Sequence, residues 1–195
     1  MQPNIKAKLD RYHDLLLQWQ AKINLVSPNS IEDAWNRHFI DSIQIEQYIK
    51  DDTKSISDIG SGAGFPGLVL AIMRPDIQFH MVESDARKCT FLRNVSRETE
   101  CINVTVHTSR IEEKLPDLNV DCITARALAP LKQLIEYTQS QWENNIEFNM
   151  IIPKGRQYLD EIDDAESMFT FDYAEHQSQT SDDAIILTVS NIIQK

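Results

Sequence analysis

The chain has 195 residues, 42% of them hydrophobic and 25% charged, with three cysteines and a formal net charge of −11. That balance fits a globular chain with a sizeable core, and an odd number of cysteines without a CxxC spacing argues against a disulfide framework and against a zinc site. No apolar run approaches the roughly 18 residues that span a bilayer, and charges interrupt the N-terminal stretch too often for a secretory signal, so a cytoplasmic protein without membrane or metal is expected.

The net charge taken alone argues against a nucleic-acid partner, but its distribution is uneven. Residues 1–50 are neutral overall, residues 51–155 carry −4 and residues 156–195 carry −7. The middle block holds Arg87, Lys88, Arg93, Arg97, Arg110, Arg126 and Lys154; charge pattern alone reads them as a mixed solvated surface.

In chain order, Ile5, Leu9, Tyr12, Leu16, Trp19 and Ile23 fall on one face of an amphipathic helix that should end before Ser27 and Pro28. "SIED" from Ser30 resembles a capping box and predicts a second helix with Trp35, Phe39 and Ile43 inward. These helices make residues 1–50 an N-terminal cap. From residue 55 the pattern alternates. Strands are expected over 55–59, 77–82, 102–107, 120–124 and 147–152, with helices over 66–73, 85–100, 110–115 and 130–142 between them, which implies parallel strands with crossover helices. After a helix over 157–168, "FTFDYAEH" and "AIILTVSNI" read as an antiparallel hairpin. The simplest partition is one domain over 1–195, with its core over 55–195.

Four of the five glycines lie in "GSGAGFPG", from Gly60 to Gly67. The loop follows a strand and opens a helix, with Pro66 suited to the first turn. A tight turn needs one glycine, so Gly60, Gly62 and Gly64 point to a ligand lying close against the backbone. A dinucleotide fingerprint wants GxGxxG, and its third glycine would be Phe65 here. No GK[ST] follows, which excludes a Walker phosphate cradle. GxGxG suits S-adenosylmethionine. Glu83, about 20 residues on at the end of the second strand, can accept both ribose hydroxyls, as NAD or S-adenosylmethionine would require. Asp58 either fixes the loop or meets the ligand's ammonium group. The terminal hairpin favours the class I methyltransferase sheet, α/β and Rossmann-like with seven mostly parallel strands, over an NAD-linked oxidoreductase.

"NLVS", "RHFIDSI", "DIGSGAGFPGLVLAI", "VESDARKCTFL", "SRIEE", "ARALAPL" and "PKG" occur in that order over nearly the whole chain. With these segments the sequence resembles the bacterial 16S rRNA guanine-N7 methyltransferases, also called glucose-inhibited division protein B. The resemblance implies methyl transfer from S-adenosylmethionine to N7 of a guanosine in the decoding-region loop of 16S rRNA, free or in the small ribosomal subunit; with no extra interface element evident in the sequence, a monomer is expected. It implies cofactor contacts at Gly60, Phe65, Ile111, Glu112 and Arg126, while Glu83 matches the ribose position of the wider fold. Arg110, Arg126 and Lys154, on the carboxyl side of the sheet, become candidates for RNA phosphate or base contacts. His38 is either a packed core histidine or part of the substrate entrance. N7 carries a lone pair and no proton, so no catalytic base is expected, and catalysis should rest on alignment. A small-molecule methyltransferase and a non-catalytic nucleoside-binding protein of the ribosome stay open.

Overall fold

Pro3 opens helix α1 (Pro3–Gln20), where its missing N–H costs nothing. Leu9, Tyr12, Leu15 and Leu16 form its buried stripe. The helix stops at Gln20, six residues before the predicted end. Gln20 itself supplies the reason: its Oε1 accepts from the backbone N–H of Leu25 and Val26, and its Nε2 donates to the Val26 carbonyl. One amide side chain thus fastens a loop that carries Ile23 beyond the helix. A computed structural model describes residues 1–111, 118–143 and 145–195.

The second cap helix is not one helix. A 3-10 turn (Pro28–Ser30), a π-helical turn (Trp35–Ile40), the short α2 (Asp41–Ile43) and another 3-10 turn (Glu46–Tyr48) take its place. Ser30 makes no capping box; its hydroxyl donates to the Ser27 carbonyl at 2.8 Å. Phe39 is fully buried, while Trp35 and Ile43 only pack at the edge of the core.

Behind the cap stands a seven-stranded sheet: β1 (Ser55–Ile59), β2 (Gln78–Glu83), β3 (Val104–Thr108), β4 (Cys122–Thr124), β5 (Asn149–Lys154), β6 (Phe169–Gln177) and β7 (Ile185–Gln194). The spatial order is β3-β2-β1-β4-β5-β7-β6. The first five are parallel, and β7 runs antiparallel to both β5 and β6. All seven expected strands form, with ends displaced by at most two residues. Helices α3 (Gly67–Met73) and α4 (Ala86–Glu98) pack with α1 on one face, over Phe79 and Met81. Helices α5 (Leu131–Tyr137), α6 (Gln139–Trp142) and α7 (Tyr158–Glu166) cover the other, over Ile123 and Ile152. Thr138, with its backbone outside the helical region, divides the expected 130–142 helix into α5 and α6. Most of the helix expected over 110–115 lies outside the described residues.

Cys89, Cys101 and Cys122 are buried free thiols. Among the described residues no helix is long and apolar enough to cross a membrane. Strand order reverses between β1 and β4, so the loops leaving these two strands part and open a crevice at their carboxyl ends.

Candidate functional site

The glycine loop fills one wall of that crevice. Gly60, Gly62 and Gly64 all have positive φ, at 66°, 55° and 93°. Pro66 precedes α3 rather than lying in its first turn, and the Phe65–Pro66 peptide is cis. Much of what the backbone approaches is the protein itself. A Cβ on Gly64 would stand 2.6 Å from the Tyr12 hydroxyl and from Leu68. One on Gly67 would stand 2.6 Å from the Asp58 Cβ. Of the loop glycines, only Gly62 faces open space, with nothing nearer than the Gly60 carbonyl at 3.8 Å. Gly67→Ala is therefore expected to destabilise the fold by about 1–3 kcal/mol through overpacking, read as a lower urea midpoint; an unchanged midpoint would mean that β1 and α3 can separate freely.

Asp58 lies beneath the loop. It is 0% exposed, and its Oδ1 accepts from the Thr124 hydroxyl at 2.8 Å, tying β1 to β4. This geometry makes Asp58 a support for the loop, with its buried Oδ2 left without a partner among the described residues. Burial also pushes its carboxyl up to about 6, against the hydrogen bond from Thr124 and the charge of Arg126. A carboxyl whose folded value exceeds its unfolded one of about 4 binds its proton more tightly when folded. Its contribution to stability is full below about pH 4 and is lost as pH rises through about 6. Relative to Asp58→Asn, the wild type should gain about 1 kcal/mol in unfolding free energy between pH 8 and pH 5. A difference independent of pH would show the carboxyl ionised throughout.

From the other side, the Tyr12 hydroxyl donates to the Ala63 carbonyl, so α1 holds the loop directly. Its ring stacks on Phe65 with centroids 5.3 Å apart. The His38 ring lies 5.0 Å from the same phenyl. The Phe65 side chain is thus the peg on which the cap sits.

Three hollows meet along the crevice. The first, of about 250 Å³, lies between Gly62, Glu83, Ser109, Ile111 and Leu128. Glu83 ends β2 and is almost buried. Its Oε2 accepts from Gly62 N–H at 2.9 Å and its Oε1 from Asp85 N–H at 2.8 Å. Asp85 then caps α4, accepting from Arg87 N–H at 2.7 Å. The sequence around Glu83 thereby turns one carboxylate toward the loop and the next toward the helix. Ile111 belongs at once to the core and to the wall of this hollow.

The second hollow, about 370 Å³, lies between the loop and the cap, against Val26, His38, Gly60, Phe65 and Arg126. The third, about 680 Å³, runs from Arg126 past Pro130 to Lys154 and Gly155. Arg126 follows β4 and separates the two. Its Nη1 donates to the Arg37 carbonyl and to Asp41 Oδ2, each at 3.2 Å, and its Nη2 donates to His38 Nδ1 at 3.0 Å. It also lies 5.1 Å from the Phe65 ring centroid. These bonds leave Nε–H and one Nη2–H for a ligand. Burial, together with the charges of Arg126 and Arg37, pushes the His38 imidazole down to about 4, so it is neutral and accepts from Arg126. The Asp41 Oδ1 accepts from the Thr180 hydroxyl at 2.7 Å and from Gln44.

The structure therefore brings Gly60, Gly62, Glu83, Ile111 and Arg126 to connected hollows, with Phe65 at their edge. Gly64 turns toward Tyr12 instead. Lys154 departs from the expectation of a free cation for RNA. It is buried, and its ammonium donates to the Ala129 carbonyl at 3.0 Å and to Glu161; it closes the back wall of the third hollow. Arg110 is exposed and lines none of the three. Glu112 lies outside the described residues. The sequence reading missed Tyr12 and Asp41 as parts of the site. Tyr12 had a signal, a polar tip on an otherwise apolar helix face; Asp41 had "RHFIDS".

A family model described as rRNA small subunit methyltransferase G matches residues 5–185. The chain is 40% identical over 195 residues to "Ribosomal RNA small subunit methyltransferase G" of Sinorhizobium medicae, covering 96% of this chain and 90% of that protein. The protein of that name from Rickettsia prowazekii is 37% identical, with 98% and 97% covered. A third, from Paramagnetospirillum magneticum, is 55% identical over 129 residues, which span 66% of this chain and 61% of the relative. Among solved structures, an O-methyltransferase from Bacillus cereus in complex with SAH superposes with a TM-score of 0.61 at 13% identity, over 92% of this chain and 90% of that one. A ribosomal protein L11 methylase from Lactobacillus delbrueckii gives 0.60 at 16% identity, over 76% and 75%. At such identities the structures speak for the fold alone.

Proposed function

The chain belongs to the rRNA small subunit methyltransferase G family, and from that footing we propose that it transfers the methyl of S-adenosylmethionine to N7 of a guanosine in the decoding-region loop of 16S rRNA. The observation that carries the proposal is the run of three hollows that share Ala127, the first two against the glycine loop and the last two against Arg126. The residues present fit the cofactor. Glu83 offers a carboxylate at ribose depth beside a glycine with open space before it. Ile111 supplies an apolar wall for the adenine. The second hollow takes the methionine end, and the third takes the guanine.

The cofactor supplies an electrophilic methyl on a sulfonium. The chain's own residues bind and orient. Arg126 stands where cofactor hollow and acceptor hollow meet, and its remaining N–H groups can donate to guanine O6. Its attachment to Asp41, His38 and the Arg37 carbonyl holds those donors still, which is how a preorganised group lowers a barrier. His38, kept neutral, leaves the sulfonium without an added positive neighbour. N7 needs no base, and holding it in line with the methyl is the main task. We place the reaction in the cytoplasm and assign it to a monomer.

The test is incubation with labelled S-adenosylmethionine and small ribosomal subunits, or naked 16S rRNA, from cells lacking this methyltransferase. Labelled 7-methylguanosine from the decoding-region loop is expected. Cofactor binding with no label in either RNA would transfer the proposal to a small-molecule acceptor.

A further inference from the structure

A fourth hollow lies outside the three that the transfer uses. It measures about 370 Å³ and is bounded by the loop after α1, with Lys22 and Asn24, and by the start of α4, with Asp85, Arg87 and Lys88. Three cations surround it, against one carboxylate. That carboxylate is already engaged, accepting from Arg87 N–H and from Arg87 Nη2 at 3.3 Å. The Arg87 pair is a surface contact with the guanidinium mostly in solvent, and such pairs hold little.

The lysines are more telling. Lys6, Lys50, Lys132 and Lys154 each meet a carboxylate. Lys22 and Lys88, like Lys8, Lys54 and Lys195, meet none among the described residues, although the chain holds 30 carboxylates against 19 lysines and arginines; of these five, Lys22 and Lys88 line one hollow together. Lys88 also lines the Glu83 hollow, so the two spaces adjoin. Beyond the strap of residues 25–27 the rim continues to the exposed Arg37, which shares the cap-side hollow with Val26 and Ser27. The mouth of the site is thus basic at both ends, on a chain whose excess negative charge sits mostly in residues 156–195.

We propose that the hollow between Lys22, Arg87 and Lys88 seats backbone phosphates of the RNA strand flanking the target nucleotide. This rests on the reading of the chain as an rRNA methyltransferase. Two lysines that meet no carboxylate and an arginine held only by a surface pair, on an open polar hollow, suit a phosphodiester track, which is held by charge and needs no fixed fork. A base drawn into a pocket leaves the strand on either side splayed, with its phosphates exposed to such a rim.

The test uses Lys22→Ala/Arg87→Ala, which leaves Lys88 and the cofactor hollow untouched. Binding of a fluorescein-labelled RNA hairpin carrying the decoding-region loop is followed by anisotropy across salt concentrations. The slope of log affinity against log salt should become shallower by about 2, one per cation removed, while calorimetric affinity for S-adenosylmethionine stays unchanged. A wild-type slope in the variant overturns the phosphate seat and leaves the methyltransferase reading standing. Wild-type protein that binds cofactor but neither binds nor methylates the RNA overturns both. Inorganic phosphate that binds the wild type and not the variant by calorimetry, while the hairpin binds both with the same salt slope, reassigns the hollow to a free anion and overturns the RNA reading.

Discussion

Arg126→Ala should lower the rate of methyl transfer to rRNA by about a thousandfold while cofactor affinity falls far less. Removing one preorganised donor from a reacting centre costs about 10²–10³ in rate, and Arg126 also anchors the groups around it. Without it, Asp41 loses its cation, His38 Nδ1 loses its donor, and the Arg37 carbonyl loses its bond across the crevice. The cap itself stays seated, because Tyr12, Phe39 and Phe65 hold it from the core side. Single-turnover rates at saturating RNA separate the two roles. Arg126→Lys keeps the charge and loses the fork, so it should not restore the rate. Wild-type turnover in Arg126→Ala would remove the residue from the transfer step.

The sheet was legible because its signals are local. Alternating runs mark strands, and each lies between turn residues or a helical stretch, so the five parallel strands and the final hairpin follow from patterning. The cap was legible only in part. Trp35, Phe39 and Ile43 have helical spacing, but the π-helical turn widens the coil between Trp35 and Ile40. That widening is set by partners far away in sequence, since Arg126 draws together the Arg37 carbonyl, His38 and Asp41. No periodicity encodes an interaction across about ninety residues.

The site shows the same division. The glycine loop announces a close approach, and a motif cannot say to what. Here Gly64 and Gly67 make room for Tyr12 and Asp58, and Gly62 keeps the open side. Lys154 illustrates the converse. A lysine at a strand end on the ligand side looks like a free cation, until α7 folds back and Glu161 takes its charge. The sequence shows that carboxylate seven residues on, but not that the chain turns to bring it there.

Glu83→Ala is expected to weaken S-adenosylmethionine binding by more than tenfold and to slow transfer at subsaturating cofactor by the same factor. Two losses combine. A hydrogen bond to a charged acceptor is worth about 1.5–3 kcal/mol, and a ribose would present two hydroxyls to this carboxylate. The Gly62 N–H, which donates to Oε2 at 2.9 Å, would also be left without its acceptor, and the loop would relax. Glu83→Gln separates these terms. Its amide oxygen can still accept from Gly62 N–H, while the charge that makes the ribose bonds strong is gone. If the loop is what matters, glutamine should bind nearly as the wild type does. If the ribose is what matters, glutamine should resemble alanine. Because Glu83 lines the first hollow and Arg126 the other two, loss of Glu83 should raise the cofactor KM and leave kcat nearly intact, the opposite split from Arg126→Ala. Calorimetric affinity unchanged in both Glu83 variants would place the nucleoside elsewhere in the crevice.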